Sequence, residues 1–338
     1  MIIIAAEPYS WHHYLTKIHI DPNTCDITDM NQYFLAQKTK PIVAGIQDRV
    51  SSLCYSLNEE KLNSDFQPLL SDLKIKGAVS LHISDLGISK ESWNVLVEHS
   101  TQLAESEQVI SSGRDPNNSK DRKDFWYKLL GHQCVSLEQD SSFLPLVSNK
   151  HLMNLVNAYY QQYSWLMDFN IWLNLPSERI KSSQMWHRDH VQDWSMNYTP
   201  DLMPLLKVFF FIEDVDSRNG EFWFLPGSHC GGKYESIDPP KAVVEENMAS
   251  RVSDSVMSGH VSKDKWLKFA GKAGTIVIFD ASGFHKGGYV EEGRRLIFKS
   301  EYGSRSWIGP SYPKVKASNT LLKEVNDPHL LWSFRYPA

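Results

Sequence analysis

A chain of 338 residues, 41% hydrophobic and 22% charged, is long enough to bury a substantial core and is composed like an ordinary globular protein. Its formal charge of -5, without any long Lys/Arg block, argues against a general nucleic-acid binder. Cys25, Cys54, Cys134 and Cys230 lie far apart with no C-x-x-C, which argues against a zinc ribbon or a disulfide framework and reads as free thiols in a reducing compartment.

The opening MIIIAAEPYSWHH has too short an apolar run and no basic lead for a signal peptide. Nowhere does an apolar stretch reach the ~18 residues of a membrane span, so the expectation is a cytoplasmic protein that does not engage a membrane. Residues 2–9 fit a strand, and residues 10 to 66 show no clear period. LKIKGAVSLHI, residues 73–83, predicts a strand, after which Ser89 is an N-cap candidate for a helix carrying Trp93, Leu96, Val97, Leu103 and Ala104 on one stripe. The polar stretch 111–124 predicts a surface loop, and 148–163 an amphipathic helix with Leu152, Leu155, Val156 and Tyr159 on one side.

From about residue 165 the text changes to strands separated by turns. FNIWLNL alternates, MWHRDH follows a polar connection, and LLKVFFFIEDV reads as a strand buried on both faces. A turn at Asn219-Gly220 leads into FWF, which stops at Pro226-Gly227, and GTIVIFD, FHKGG and RRLIFKSEY are three further strands. Many short antiparallel strands predict a mainly β fold with α: a double-stranded β-helix, or cupin-like jelly roll, with flanking helices and an N-terminal α/β elaboration. The boundaries expected are 1–135 for the elaboration, 136–310 for the β-helix core and 311–338 for a C-terminal extension, all in one structural unit.

His187 and Asp189 stand two apart in a segment expected to be extended, so both side chains face the same way. With 13 His and 22 Asp, about one His-x-Asp is expected by chance. The chain has two, and the other, His19-Ile20-Asp21, runs into an Asp-Pro-Asn turn and reads as structural. A second imidazole, His285, follows the GTIVIFDASG strand, and together with His187 and Asp189 it would complete the two-His, one-carboxylate set that suits non-haem Fe(II). His190, His229 and His260 compete for that place. Arg294 opens the RRLIFKSEY strand nine residues after His285, and its planar fork suits a ligand carboxylate such as the distal one of 2-oxoglutarate. Arg295 points the opposite way in a regular strand, and pattern alone does not choose between the two.

Asn170 to Asn174 before a turn, Trp186-His187-x-Asp189, the long apolar strand, N-G-E-F-W-F-L-P-G-S-H over 219–229, G-T-I-V-I-F-D with His285, and the Arg together resemble the phytanoyl-CoA dioxygenase family of Fe(II)/2-oxoglutarate oxygenases, which includes ectoine hydroxylases. The resemblance covers about residues 165–303. It implies His187, Asp189 and His285 on iron, Arg294 on the far carboxylate of 2-oxoglutarate, Asn174 near its 2-oxo acid end, O2 as oxidant, and hydroxylation of an unactivated C–H of a small molecule with release of succinate and CO2. The insertion 231–270 and the first 66 residues have no counterpart in it. Trp194 and Tyr198, in the loop 191–204, are the candidate substrate contacts. The rival reading is a metal-binding jelly roll without oxygenase activity, either a cupin-like isomerase or a binding protein. Substrate identity and oligomeric state are not legible.

Overall fold

The computed structural model describes residues 48–57, 62–105, 126–131, 143–176, 182–189, 204–240 and 251–304. Residues 2–9, the loop at 111–124, His19-Ile20-Asp21, His190, Trp194 and Tyr198 lie outside them.

Among the described residues, nine strands build two antiparallel sheets: β1 (Ala78–His82), β2 (Trp126–Gly131), β3 (Trp165–Asn174), β4 (Leu206–Phe211), β5 (Phe222–Phe224), β6 (Leu267–Phe269), β7 (Thr275–Asp280), β8 (His285–Gly287) and β9 (Arg295–Gly303). The larger sheet runs β1-β7-β4-β9-β3-β2, and the smaller runs β6-β5-β8. From β4 onward the chain passes between the two sheets, with β5, β6 and β8 in the smaller and β4, β7 and β9 in the larger, which is the jelly-roll double-stranded β-helix expected from the sequence. β1 and β2, drawn from the N-terminal part, form the two edges of the larger sheet.

Alternation along each strand divides the side chains between two cores. On one face of the larger sheet Val208, Phe210, Ile276, Ile278, Leu296 and Phe298 pack under helices α1 (Gln67–Lys76), α2 (Lys90–Ala104) and α3 (Lys150–Tyr160), through Leu73, Leu96, Leu152 and Leu155. On the other face Phe209, Phe211, Val277 and Phe279 meet Phe222, Phe224 and Phe269 of the smaller sheet. The rings of Phe222 and Phe279 lie 4.3 Å apart, so the two sheets are in direct aromatic contact. LLKVFFFIEDV is thus buried on both faces, as its unbroken apolar run predicts.

Two helices follow their sequence signals. Ser89 caps α2 by accepting from Ser92 N at 3.1 Å, and Asn149 caps α3 by accepting from Leu152 N at 3.1 Å. The strand expected over 73–83 is only half a strand. Leu73 to Lys76 form the last turn of α1, and Gly77, at φ 83, closes that helix by donating to Leu73 O at 2.8 Å before β1 begins. A Cβ at Gly77 would stand 2.4 Å from His229 Nδ1, so glycine serves both the left-handed turn and the close approach.

Candidate metal centre

The segment carrying His187 and Asp189 is short and is held from three sides. A 3-10 turn, Ser182–Gln184, leads in. Trp186 and Val252 then exchange both backbone hydrogen bonds, at 3.0 and 2.9 Å, and His187 and His285 do the same, at 3.0 and 2.9 Å. Asp189 N donates to Ala281 O at 2.8 Å. The smaller sheet therefore continues past β8 through residues 186–187 to residue 252. His187 and His285 become a directly opposed cross-strand pair, with ring centroids 4.4 Å apart.

One ligand-type atom from each of His187, Asp189 and His285 lies within 4.8 Å of the others, the only such trio of His, Cys, Asp or Glu among the described residues. His187 Nε2 is 3.8 Å from Asp189 Oδ1, and His285 Nε2 is 3.7 Å from Asp189 Oδ2. On the far side of each ring Nδ1 meets a backbone carbonyl: Met185 O at 2.8 Å for His187 and Gly283 O at 2.9 Å for His285. A carbonyl can only accept, so each Nδ1 carries the proton and each Nε2 turns its lone pair toward Asp189. This is the donor set a divalent metal needs, with ring orientation fixed in advance by backbone. Asp189 keeps 30% of its side-chain surface open while His187 and His285 keep 9% and 6%, so the centre is reached from the carboxylate side.

The charge states suit a metal. Burial, then the neighbouring His285 and Arg251, push the His187 imidazole well below its ordinary value of 6.5, so it is neutral and free to ligate. Burial alone would raise the Asp189 carboxyl, but the Lys207 ammonium and then His285 outweigh it and hold the group well below 3.8. Lys207, from β4, donates to Asp189 and bridges at 3.1 Å to Glu301 of β9, which in turn accepts from Lys299. Lys299 lies 3.9 Å from Asp168 of β3. A row of alternating charge thus crosses the inner face of the larger sheet and ends on the Asp189 carboxylate.

The two arginines part company. Arg294 turns outward, where its guanidinium grips Glu213 at 2.5 to 3.1 Å and reaches Glu105 at 3.5 Å. It does not join the triad. Arg295 is 7% exposed and lies inside, donating from Nε and Nη2 to Asn174 Oδ1 at 3.2 Å each and from Nη1 to Gly220 O. Its Nη2 is 3.2 Å from where a Cβ on Gly287 would stand, two residues along β8 from His285. Arg295, Lys299 and Glu301 share the inward parity of β9, and three charged residues on one face of an otherwise apolar strand are a sign the sequence held. Lys207, a lone charge in a doubly buried strand, is a second such sign.

Two of the competing imidazoles, His229 and His260, are elsewhere. His229 accepts from no metal-facing group; its Nε2 meets Lys74 O at 3.0 Å, docking the Pro-Gly-Ser-His turn on α1. His260 is exposed at the end of α4 (Asp254–His260).

A jelly roll whose smaller sheet presents two histidines and a carboxylate at one opening defines a metal-dependent oxygenase of the non-haem type. The profile of the phytanoyl-CoA dioxygenase (PhyH) family matches residues 98–293, more than half of the chain. The chain belongs to the phytanoyl-CoA dioxygenase family and is an Fe(II)/2-oxoglutarate-dependent oxygenase. Comparison with curated proteins finds no match. Among solved structures it is similar to EctD from S. alaskensis with 2-oxoglutarate and 5-hydroxyectoine (TM-score 0.48, 15% identity, 73% of this chain and 78% of that one). It is also similar to the non-heme alpha ketoglutarate dependent carbocyclase SnoK from nogalamycin biosynthesis (TM-score 0.48, 13% identity, 70% and 83%). The epimerase SnoN in complex with Fe3+, alpha ketoglutarate and nogalamycin RO is a third (TM-score 0.47, 12% identity, 71% and 84%).

Proposed function

We propose that this chain hydroxylates an unactivated C–H bond of a small-molecule metabolite, with iron held by His187 Nε2, His285 Nε2 and the Asp189 carboxylate. The observation that carries the reading is the pair of Nδ1-to-carbonyl bonds, which leave both Nε2 atoms converging on an ionised carboxylate. Three protein ligands of this kind would hold Fe(II) and leave it free to take up the 2-oxo acid co-substrate. Iron held there would, with 2-oxoglutarate and O2, supply the oxidising power, one oxygen atom of O2 ending in the product hydroxyl and the other in succinate, with CO2 released.

The chain's own part is positioning and charge. Arg295 is the fork for the far carboxylate of 2-oxoglutarate. It is buried, sits beside the His285 strand and has its plane set by Asn174, whereas Arg294 is engaged by two glutamates on the outside. Lys207 restrains one oxygen of Asp189 and keeps that group ionised. The aromatic wall of Phe209, Phe222 and Phe279 keeps water from the inner side of the site. The intact carboxylate at 189 supports hydroxylation, since it fills a position that a halide would otherwise take.

Succinate formation with Fe(II), ascorbate and 2-oxoglutarate, measured across a metabolite panel, tests the reading. Substrate-dependent succinate together with a product heavier by one oxygen is expected. Turnover of 2-oxoglutarate that no compound stimulates, or a product without added oxygen, would set hydroxylation aside.

A further inference from the structure

We infer that Arg251, carried by the 231–270 insertion, is a specificity residue that anchors a carboxylate of the organic substrate beside the metal centre. The inference rests on the oxygenase reading above.

The placement follows from register. Trp186 and Val252 form an isolated antiparallel bridge that exchanges both backbone hydrogen bonds, and continuing its register by one residue would set Arg251 opposite His187. Such a neighbouring pair is of the close, non-hydrogen-bonded kind, and side chains directly opposite one another leave by the same face. Trp186 and Val252 both go to the outer cluster, fully buried with Met257 and Trp266. His187 and Arg251 therefore go to the other face, the one on which His285 lies. The row reads Arg251, His187, His285, with Phe224 opposite His285 on β5.

The chemistry follows from what Arg251 lacks. Its Nε is buried with no hydrogen-bond partner, and no ion pair or hydrogen bond involves its guanidinium among the described residues. Arginine stays protonated and carries only donors, so a buried, unanswered N–H costs about 1–3 kcal/mol unless an acceptor arrives. Among the described carboxylates it is Asp189 that acts on its charge, and Asp189 is already engaged by Lys207. A planar fork of donors beside a metal site matches a carboxylate. The 2-oxo acid has its own fork in Arg295, which lies against Gly287, two residues along β8 from His285. Two separate guanidinium groups fit two anionic ligands, one shared by the whole enzyme class and one chosen by this chain's insertion.

The test uses the full chain loaded with Zn(II) and 2-oxoglutarate, which binds without turning over, and matched probes: a panel of carboxylic acids and their primary amides on the same skeletons, read by ligand-observed NMR. Acids should bind about tenfold or more tightly than their amides to the unaltered chain, from the worth of a charged hydrogen bond. Arg251→Gln should abolish that preference and Arg251→Lys should keep part of it. Calorimetric titration should find 2-oxoglutarate affinity within about twofold of the unaltered chain in Arg251→Gln, which also shows that the variant is folded. No preference for acids in the unaltered chain, or a preference that survives Arg251→Gln, overturns the inference. So does a loss of 2-oxoglutarate binding in Arg251→Gln as large as that in Arg295→Gln, because the anion would then be the co-substrate's own. A chain that binds no 2-oxoglutarate at all would count against the oxygenase reading, and the acid-to-amide comparison on the metal-free chain would still decide the role of Arg251.

Discussion

Asn174 and Arg295 face each other across the β3–β9 ladder, with two guanidinium N–H groups converging on one amide oxygen at 3.2 Å each. That contact fixes the plane of the guanidinium before any ligand arrives. Replacing Arg295 by Lys keeps a charge and loses the planar fork. Hydrogen bonds to charged groups are worth about 1.5–3 kcal/mol, so 2-oxoglutarate affinity should fall by about one to two powers of ten. Arg294→Lys should leave it within about twofold, because its contacts are with Glu213 and Glu105. Anaerobic calorimetry with Mn(II) present measures both, and a loss confined to Arg294→Lys would reverse the assignment.

His187→Ala and His285→Ala should each remove tight Fe(II) binding without unfolding the chain, since each ring's own hydrogen bond is only to a carbonyl two residues away and the backbone pairing of the two residues is kept. Metal content after dialysis and a thermal melt of the same samples check the two halves of the statement. Iron at the level of the unaltered chain in both variants would dissolve the triad.

Lys207 is held between two carboxylates, Asp189 and Glu301, with 11% of its side chain exposed. Its replacement by Met leaves two buried acids short of a partner. Breaking a buried pair in this way costs about 3–5 kcal/mol, to be read from urea unfolding of the metal-free chain. An added Glu301→Leu should give back part of that loss, which a double-mutant cycle would show as coupling.

Acid should weaken the fold in a defined window. Burial alone would raise the Glu301 carboxyl, but Lys207 and then Lys299 outweigh it and hold it down at about 2, against 4.5 ordinarily. A group whose folded value is depressed contributes stability above its unfolded value and loses it as pH falls. The contribution, on the order of 3 kcal/mol, is complete above pH 4.5 and disappears as pH falls from 4.5 toward 2. Glu301→Gln should flatten the stability curve of the metal-free chain across that interval, and an unchanged slope would remove Glu301 as its source.

Gly77 and Gly87 make a matched pair. Both have positive φ, at 83 and 63, but a Cβ would collide with His229 and Phe224 at Gly77 and would meet nothing within 4 Å at Gly87. Gly87→Ala should cost only the backbone strain of about 1–2 kcal/mol, and Gly77→Ala clearly more, as measured by denaturant midpoint.

Much of this was legible along the chain, and the exceptions share a cause. The Ser89 cap, the doubly buried 206–211 strand and the spacing of His187 and Asp189 are local signals, readable from neighbours within a few residues. Leu73–Lys76 misled because apolar and basic residues ran unbroken into β1, and only the positive φ of Gly77 separates helix from strand. The choice between Arg294 and Arg295 depended on strand phase, where a shift of one residue exchanges inside for outside. Arg251 was silent because its significance comes from residue 186 pairing with residue 252, a contact that no local period encodes.

The clamp on the His187 segment has a further meaning during synthesis. His187 takes its place only when residues 252 and 285 have arrived to bond it on either side. Contacts so distant in sequence form late in folding, so a nascent chain that has emerged no further than β5 has one imidazole and one carboxylate and no rigid frame for them. The three-ligand set is therefore complete only once residues far apart in the chain have closed the sheet that orders it.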